Sequence, residues 1–300
     1  YLLEVLKKRR KNSKMPKSGV FLPNFAITEK LIKEGRSNMS TSIWTYLLIF
    51  IAFLRQILFS LIYGISIYNP IRAFTMKNDK LNIVSLIPQL QPYRQDLDET
   101  FKFVGLCGSE EARQFELCYD PELKSFLDAF EGQTSIKLIY MSLGTLYNFN
   151  TFVFERVIDA LREYDENPNR HFESSQFRVV ISTGEESLRV LKDKEKKGQL
   201  KIGKNVLMRA KVPQLEVLKR SHVFITHSGM NSTSEAIKYA VPMICIPLEV
   251  DQPMVARKVC DDLSLGVRLD PCRLTSHQIA DSIDRVLYDA RYKRNIEALS

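Results

Sequence analysis

Four histidines in 300 residues, one tryptophan, five cysteines with no C-x-x-C pair, and no G-x-G-x-x-G after any apolar run narrow what this chain can do. The cysteines, at 107, 118, 245, 260 and 272, have no metal-ligand spacing, so no metal site is expected. An odd, scattered set in a chain of this size points to reduced thiols and a cytoplasmic setting. Without the glycine-rich dinucleotide fingerprint, a nicotinamide-dependent dehydrogenase is disfavoured. Net positive charge is also small over most of the length. The formal net charge is +8, but the first 36 residues hold ten Lys or Arg against three acidic residues, which leaves the other 264 near +1. No face able to neutralise duplex phosphates is expected, and nucleic acid is excluded as a partner. The run Lys7 to Lys11 reads as a solvated charge cluster rather than an address signal.

What is present is ordinary globular composition, 45% hydrophobic and 26% charged, over a length that suits about two domains. Apolar, β-rich runs at 136–141, 177–182, 205–208, 222–226, 243–246 and 267–269 alternate with helical patterns near 151–164, 185–194, 214–219, 232–239, 252–262 and 275–287. That regularity predicts a parallel sheet covered by helices. The charged stretch leading to Asp120 and Pro121 is the best interdomain linker.

Residues 212–252 carry most of the chemistry. An apolar run from His222 to Thr226 meets His227, Gly229, Asn231 and Ser232, and a helical pattern follows through Ala240. A strand running into a helix N-terminus is a ready-made anion site, because the first helical turn leaves backbone N–H groups without partners and carries the positive end of the macrodipole. Gly229 would let backbone approach a ligand, Asn231 and Ser232 offer donors, and His227 offers one that is either cationic or neutral. A structural reading stands beside this one. Ser232 and Glu235 fit an S-x-x-E capping box, and His227 could be a satisfied strand-end histidine. A second strand, Met243 to Ile246, is expected beside the first, ending at the same edge. Asp251 and Gln252 would then face the same crevice, where a carboxylate beside a carboxamide suits vicinal hydroxyls. Diphosphate at one turn and polyol at the next describes a nucleotide sugar.

The stretch V-P-Q-x-x-V-L, F-I-T-H-x-G-x-N-S-x-x-E-A, V-P and D-Q resembles the signature of the UDP-glycosyltransferase superfamily, glycosyltransferase family 1, and within it the macrolide-glycosyltransferase-like branch. Ser142-Leu143-Gly144-Thr145, Leu265 to Leu269 and Leu86 to Gly105 extend the resemblance over roughly residues 70–290. It implies an α/β protein of GT-B type: two Rossmann-like domains, the first incomplete over 1–107, a linker at 108–120, and a nucleotide-sugar-binding second domain at 121–300 whose parallel sheet has helices on both faces. By the same resemblance, Ser142, Gly144 and Thr145 would lie near the phosphates, and Gln214 with the backbone of Val212 would hold the base edge. His227, Gly229, Asn231 and Ser232 would bind the diphosphate, Glu235 the ribose hydroxyls, and Asp251 with Gln252 the transferred sugar. No cofactor or metal is implied, since the nucleotide sugar is a substrate.

Two departures from the family pattern matter. Lys211 stands where the family usually has a tryptophan to stack the base, and no histidine lies where the family's general base belongs near the start of the first domain. The base is therefore expected upstream of Tyr1. The implied activity is inverting transfer of a hexose from a UDP-sugar or related donor to a hydroxyl of a small lipophilic acceptor. The alternative is a nucleotide-sugar-binding module that needs a partner chain for base and acceptor site. The apolar stretch 43–68, with Arg55 and Gln56 at its centre, reads as a buried or acceptor-lining helix with scope for peripheral membrane contact.

Overall fold

A computed structural model of the chain describes residues 20–22, 81–106, 120–129, 133, 135–145, 149–166, 170, 173, 176–249 and 251–300. The chain separates into two compact units, Tyr1–Cys107 and Gly108–Ser300. The segments 7–11 and 43–68 and most of the expected linker lie outside the described residues.

In the first unit, β1 (Val20–Leu22), β2 (Asn82–Val84) and β3 (Phe101–Phe103) form a parallel sheet in that order. The segment between β2 and β3 turns back through Leu86 and Leu90, both fully buried. It is tied by Ser85 Oγ donating to the Gly105 carbonyl at 3.0 Å and by Asn82 Nδ2 donating to Thr100 Oγ1 at 2.9 Å.

The second unit is built on six strands, β4 (Lys137–Ser142), β5 (Phe177–Ser182), β6 (Val206–Arg209), β7 (Val223–Thr226), β8 (Met243–Cys245) and β9 (Gly266–Arg268). Every pairing is parallel, in the order β6-β5-β4-β7-β8-β9. Intervening helices are α1 (Pro121–Asp128), α2 (Thr151–Glu166), α3 (Glu185–Lys196), α4 (Gln214–Leu218), α5 (Met230–Lys238), α6 (Gln252–Arg257), α7 (Ser276–Tyr288) and α8 (Ala290–Glu297). The pattern predicted near 252–262 is split: α6 passes into a π-helical turn, Lys258–Asp262. Helix α1 begins where Asp120 accepts from the Leu123 amide, and α8 where Asp289 accepts from the Arg291 amide. Both are additions to the elements read from the sequence.

Alternation along the strands decides which side chains meet which layer. Ile139, Met141, Val179, Ile181, Val223, Ile225 and Ile244 pack with Val153, Phe154, Val157 and Ile158 of α2 and with Ile279 and Ile283 of α7. A buried polar clasp joins those two helices: Tyr164 Oη donates to the Ala280 carbonyl and to Asp284 Oδ1, both at 2.9 Å. Removing these strand and helix side chains from water supplies the main driving force for the unit. Tyr140 and Phe224, on neighbouring strands at paired positions, stack with centroids 4.9 Å apart and planes 6° from parallel.

This strand order fixes where a ligand fits. From β4 the chain winds outward to β6, then returns to place β7 on the other side of β4. Crevices form outside the carboxyl ends of strands at such a reversal. Ser142 closes β4 and Thr226 closes β7, paired in register, with Cys245 beside Thr226 on β8.

Candidate nucleotide-sugar site

After the four buried residues of β7 the backbone makes one left-handed step at Ser228, φ 66°. That step is uncommon for a residue with a side chain, and it is held by the Ser228 amide donating to Thr226 Oγ1 at 3.2 Å. Gly229 then serves as N-cap of α5, with φ −64° and ψ 140°, and contributes no side-chain cap. The Thr233 amide bonds back to the Gly229 carbonyl at 2.9 Å as the helix takes up its regular pattern. Met230, Asn231 and Ser232 therefore form a first turn whose amides are not side-chain capped, with Asn231 exposed and Ser232 half-buried. The capping box of the structural reading is not formed. Ser232 is the third helical residue rather than the cap, because the N-cap of α5 is Gly229, three residues earlier than the box requires.

His227 decides why glycine stands at two positions. A Cβ on Gly229 would lie 2.5 Å from His227 Nε2, and one on Gly144 would lie 2.7 Å from both Cε1 and Nε2. The imidazole thus sits between the turn after β4 and the turn after β7. Gly229 is required by this ring rather than by a left-handed backbone, whereas Gly144 meets the same constraint and also has φ 73°. Burial of the ring, 8% exposed, lowers its pKa to about 4, with a bond to the Ser142 backbone opposing the shift. His227 is accordingly neutral near pH 7, which removes the cationic option left open by the sequence. Ser142 is buried, its Oγ accepting from the Gly144 amide at 3.3 Å, and Thr145 is exposed at the rim.

A second cluster links β4, α4 and α5. Tyr140 Oη donates to Gln214 Oε1 at 3.0 Å, and Gln214 Nε2 donates to Ser232 Oγ at 3.2 Å and to Glu235 Oε2 at 2.5 Å. Gln214, Ser232 and Glu235 are thereby brought together in one hydrogen-bonded cluster. Both ends of the Gln214 carboxamide bond to protein, however, so the side chain expected at the base edge is turned into the site's own network. Val212 is buried beside it and Lys211 is exposed. Tyr140 was hidden within an apolar strand run; its only signal in the sequence is that it is the one hydroxyl-bearing aromatic in that run.

The turn after β8 is built differently. Gln252, 3% exposed, accepts on Oε1 from the Leu248 amide at 2.8 Å and from the Glu249 amide at 3.1 Å. Its carbonyl oxygen braces its own loop. Asp251 precedes α6 without capping it, and burial raises its carboxyl pKa above the usual carboxylate value.

The remaining described histidines are structural. His222 Nδ1 accepts from the Leu138 amide at 3.1 Å, extending the β4–β7 ladder, and burial lowers its pKa to about 4. His277 is exposed, with Glu163 at 3.1 Å and Asp281 at 3.4 Å. His171 lies outside the described residues. Among the described residues no helix is long and apolar enough to cross a membrane.

Comparison with known proteins agrees with this geometry. Residues 187–300 match the family described as UDP-glucoronosyl and UDP-glucosyl transferase. The chain is 29% identical over 239 residues to the uncharacterized UDP-glucosyltransferase YdhE of Bacillus subtilis (strain 168), covering 79% of this chain and 52% of the relative. Among solved structures, the glycotransferase of kitacinnamycin superposes with a TM-score of 0.72 at 20% identity, over 99% of this chain and 67% of that one. Os79 from O. sativa in complex with UDP superposes with a TM-score of 0.57 at 23% identity, over 74% of this chain and 49% of that one. The chain spans about half the length of the curated relatives it matches. The fold of these neighbours is GT-B, and residues 187–300 carry the likeness to the UDP-glucoronosyl and UDP-glucosyl transferase family.

Proposed function

We propose that the second unit is the donor half of a hexosyltransferase, which holds a UDP-sugar or related nucleotide sugar while the sugar passes, with inversion, to a hydroxyl of a small lipophilic acceptor. The observation that carries the reading is the uncapped first turn of α5 at the point where the strand order reverses, with His227 held between Gly144 and Gly229. In this reading the amides of Met230, Asn231 and Ser232 receive the diphosphate, with the Asn231 and Ser232 side chains and neutral His227 beside them. Ser142, Gly144 and Thr145 form the facing wall, the Val212 backbone holds the base edge, and Asp251 receives hydroxyls of the sugar. Glu235 accepts from the ribose hydroxyls, with Gln214 orienting it rather than meeting the base. The UDP bound by Os79 supports the choice of nucleotide.

Transfer also needs a base for the acceptor hydroxyl. None of the described histidines is disposed for that role: His222 braces the sheet, His277 sits among carboxylates and His227 is walled by two glycines. Lipophilicity of the acceptor rests on the apolar stretch 43–68.

Calorimetry with UDP, UDP-glucose and dTDP on the 300-residue chain tests the donor assignment. Glu235→Ala and Ser232→Ala are expected to weaken UDP roughly 10-fold or more, as removal of charged and neutral hydrogen bonds does. Unchanged UDP affinity in both, together with a lowered melting temperature, would assign these residues to the helix alone.

A further inference from the structure

The Tyr140–Gln214–Glu235 relay is asymmetric in a way the donor site can use. Tyr140 is 1% exposed and its ring is clamped on Phe224, so its hydroxyl has a fixed position within the sheet. Burial, reinforced by the negative charge of Glu235, pushes its pKa well above the ordinary phenol value, so the group is a proton donor at any pH the protein experiences. A carboxamide presents its oxygen and its nitrogen to opposite sides. With Gln214 Oε1 bound to the phenol, Nε2 is directed at Ser232 Oγ and Glu235 Oε2. The flipped amide would set its oxygen against a carboxylate, acceptor against acceptor, and that repulsion together with the phenol selects one orientation.

We infer that Tyr140 is a positioning residue for the ribose: through Gln214 it fixes the Glu235 carboxylate in the orientation that receives the two ribose hydroxyls, although it touches no ligand itself. Without the phenol, Gln214 Oε1 loses its buried donor and the amide is free to rotate away from Glu235. The loss should therefore fall on the ribose hydroxyls and spare the diphosphate. The inference rests on the nucleotide reading above.

The test compares UDP with 2′,3′-dideoxy-UDP in Tyr140→Phe, a change that keeps the ring stack and removes only the hydroxyl. In the wild-type chain UDP is expected to bind at least about 10-fold more tightly than the dideoxy analogue, the scale of a lost hydrogen bond to a charged group. Tyr140→Phe should cut that preference by about 5-fold or more while dideoxy-UDP affinity stays within about 2-fold. Gln214→Leu interrupts the relay at its middle without entering the strand core, and the same collapse is expected, so a folding defect in one variant leaves the other to decide. Wild-type preference retained in a folded Tyr140→Phe or Gln214→Leu protein overturns the positioning role and leaves nucleotide binding standing. Failure of the wild-type chain to bind UDP at all overturns both.

Discussion

Two neighbouring strand-to-helix turns use their polar side chains differently. After β7, the N-terminus of α5 has no side-chain cap, and its nearest side chain, the His227 ring, is used to wedge two glycine turns apart. After β8, Gln252 folds back to satisfy the amides of Leu248 and Glu249. The first turn leaves the amides at its helix start uncapped, whereas the second braces the loop that leads to its helix, whose own start is also without a side-chain cap. An amide without a protein partner has a cost, and that cost is offset when a ligand takes up the bond. On the proposed reading the first turn is the place to expect a diphosphate, and the second leaves Asp251 and the amide nitrogen of Gln252 for the sugar.

The largest effect that should break this contrast is a methyl group in the first turn. Gly144→Ala places a Cβ against the His227 ring on a backbone with φ 73°. Overpacking adds about 1–3 kcal/mol and the left-handed backbone roughly 1 kcal/mol more. The melting temperature should fall by roughly 5–15 °C, and UDP should bind more weakly in whatever remains folded. Gly229→Ala, with an unexceptional φ, should show the packing part alone.

Acid sharpens the comparison next. His227 and His222 both have folded pKa values of about 4, below the ordinary 6.5, because burial disfavours the cation. Between those values the unfolded chain binds protons that the folded chain does not, so stability is fully present above about pH 6.5 and declines toward pH 4. Each histidine contributes up to about 3 kcal/mol to that loss. Urea midpoints measured from pH 7 to pH 4 should fall, and His227→Gln should flatten part of the slope. A slope untouched by that substitution would mean the ring is not buried between the glycines.

Smaller effects are expected from the second turn. Gln252→Leu removes the acceptor for Leu248 and Glu249 and should cost about 1–3 kcal/mol in a denaturant titration, with UDP affinity in the folded protein nearly unchanged. Asp251→Asn should leave stability within about 0.5 kcal/mol. It should nonetheless reduce UDP-glucose affinity relative to UDP by roughly 5–10-fold, which calorimetry with both ligands will resolve.

The sheet was readable because parallel strands buried on both faces are continuous apolar runs; 243–246 is such a run from end to end. The helices α1 and α8 escaped for opposite reasons. Helix α1 follows a stretch that reads as linker, and α8 buries only Tyr292 and Ile296, too few to set up a period. The strand running into a helix start over His227 to Glu235 was legible because a helix N-terminus is a local feature. The phase of that helix was not, and a three-residue shift of the N-cap turned an apparent capping box into a first turn without a side-chain cap. Tyr140 and Gln214 are 74 residues apart, and only the packing of α4 under β4 joins them. Sequence spacing likewise could not reveal that Gln252 binds its own loop.

Backbone amide resonances of an ¹⁵N-labelled sample give the most direct test. Titration with UDP and with inorganic pyrophosphate should shift the amide signals of Met230, Asn231 and Ser232, and uridine, which lacks phosphate, should leave them in place. Saturating UDP that moves other resonances while those three stay fixed would contradict the account.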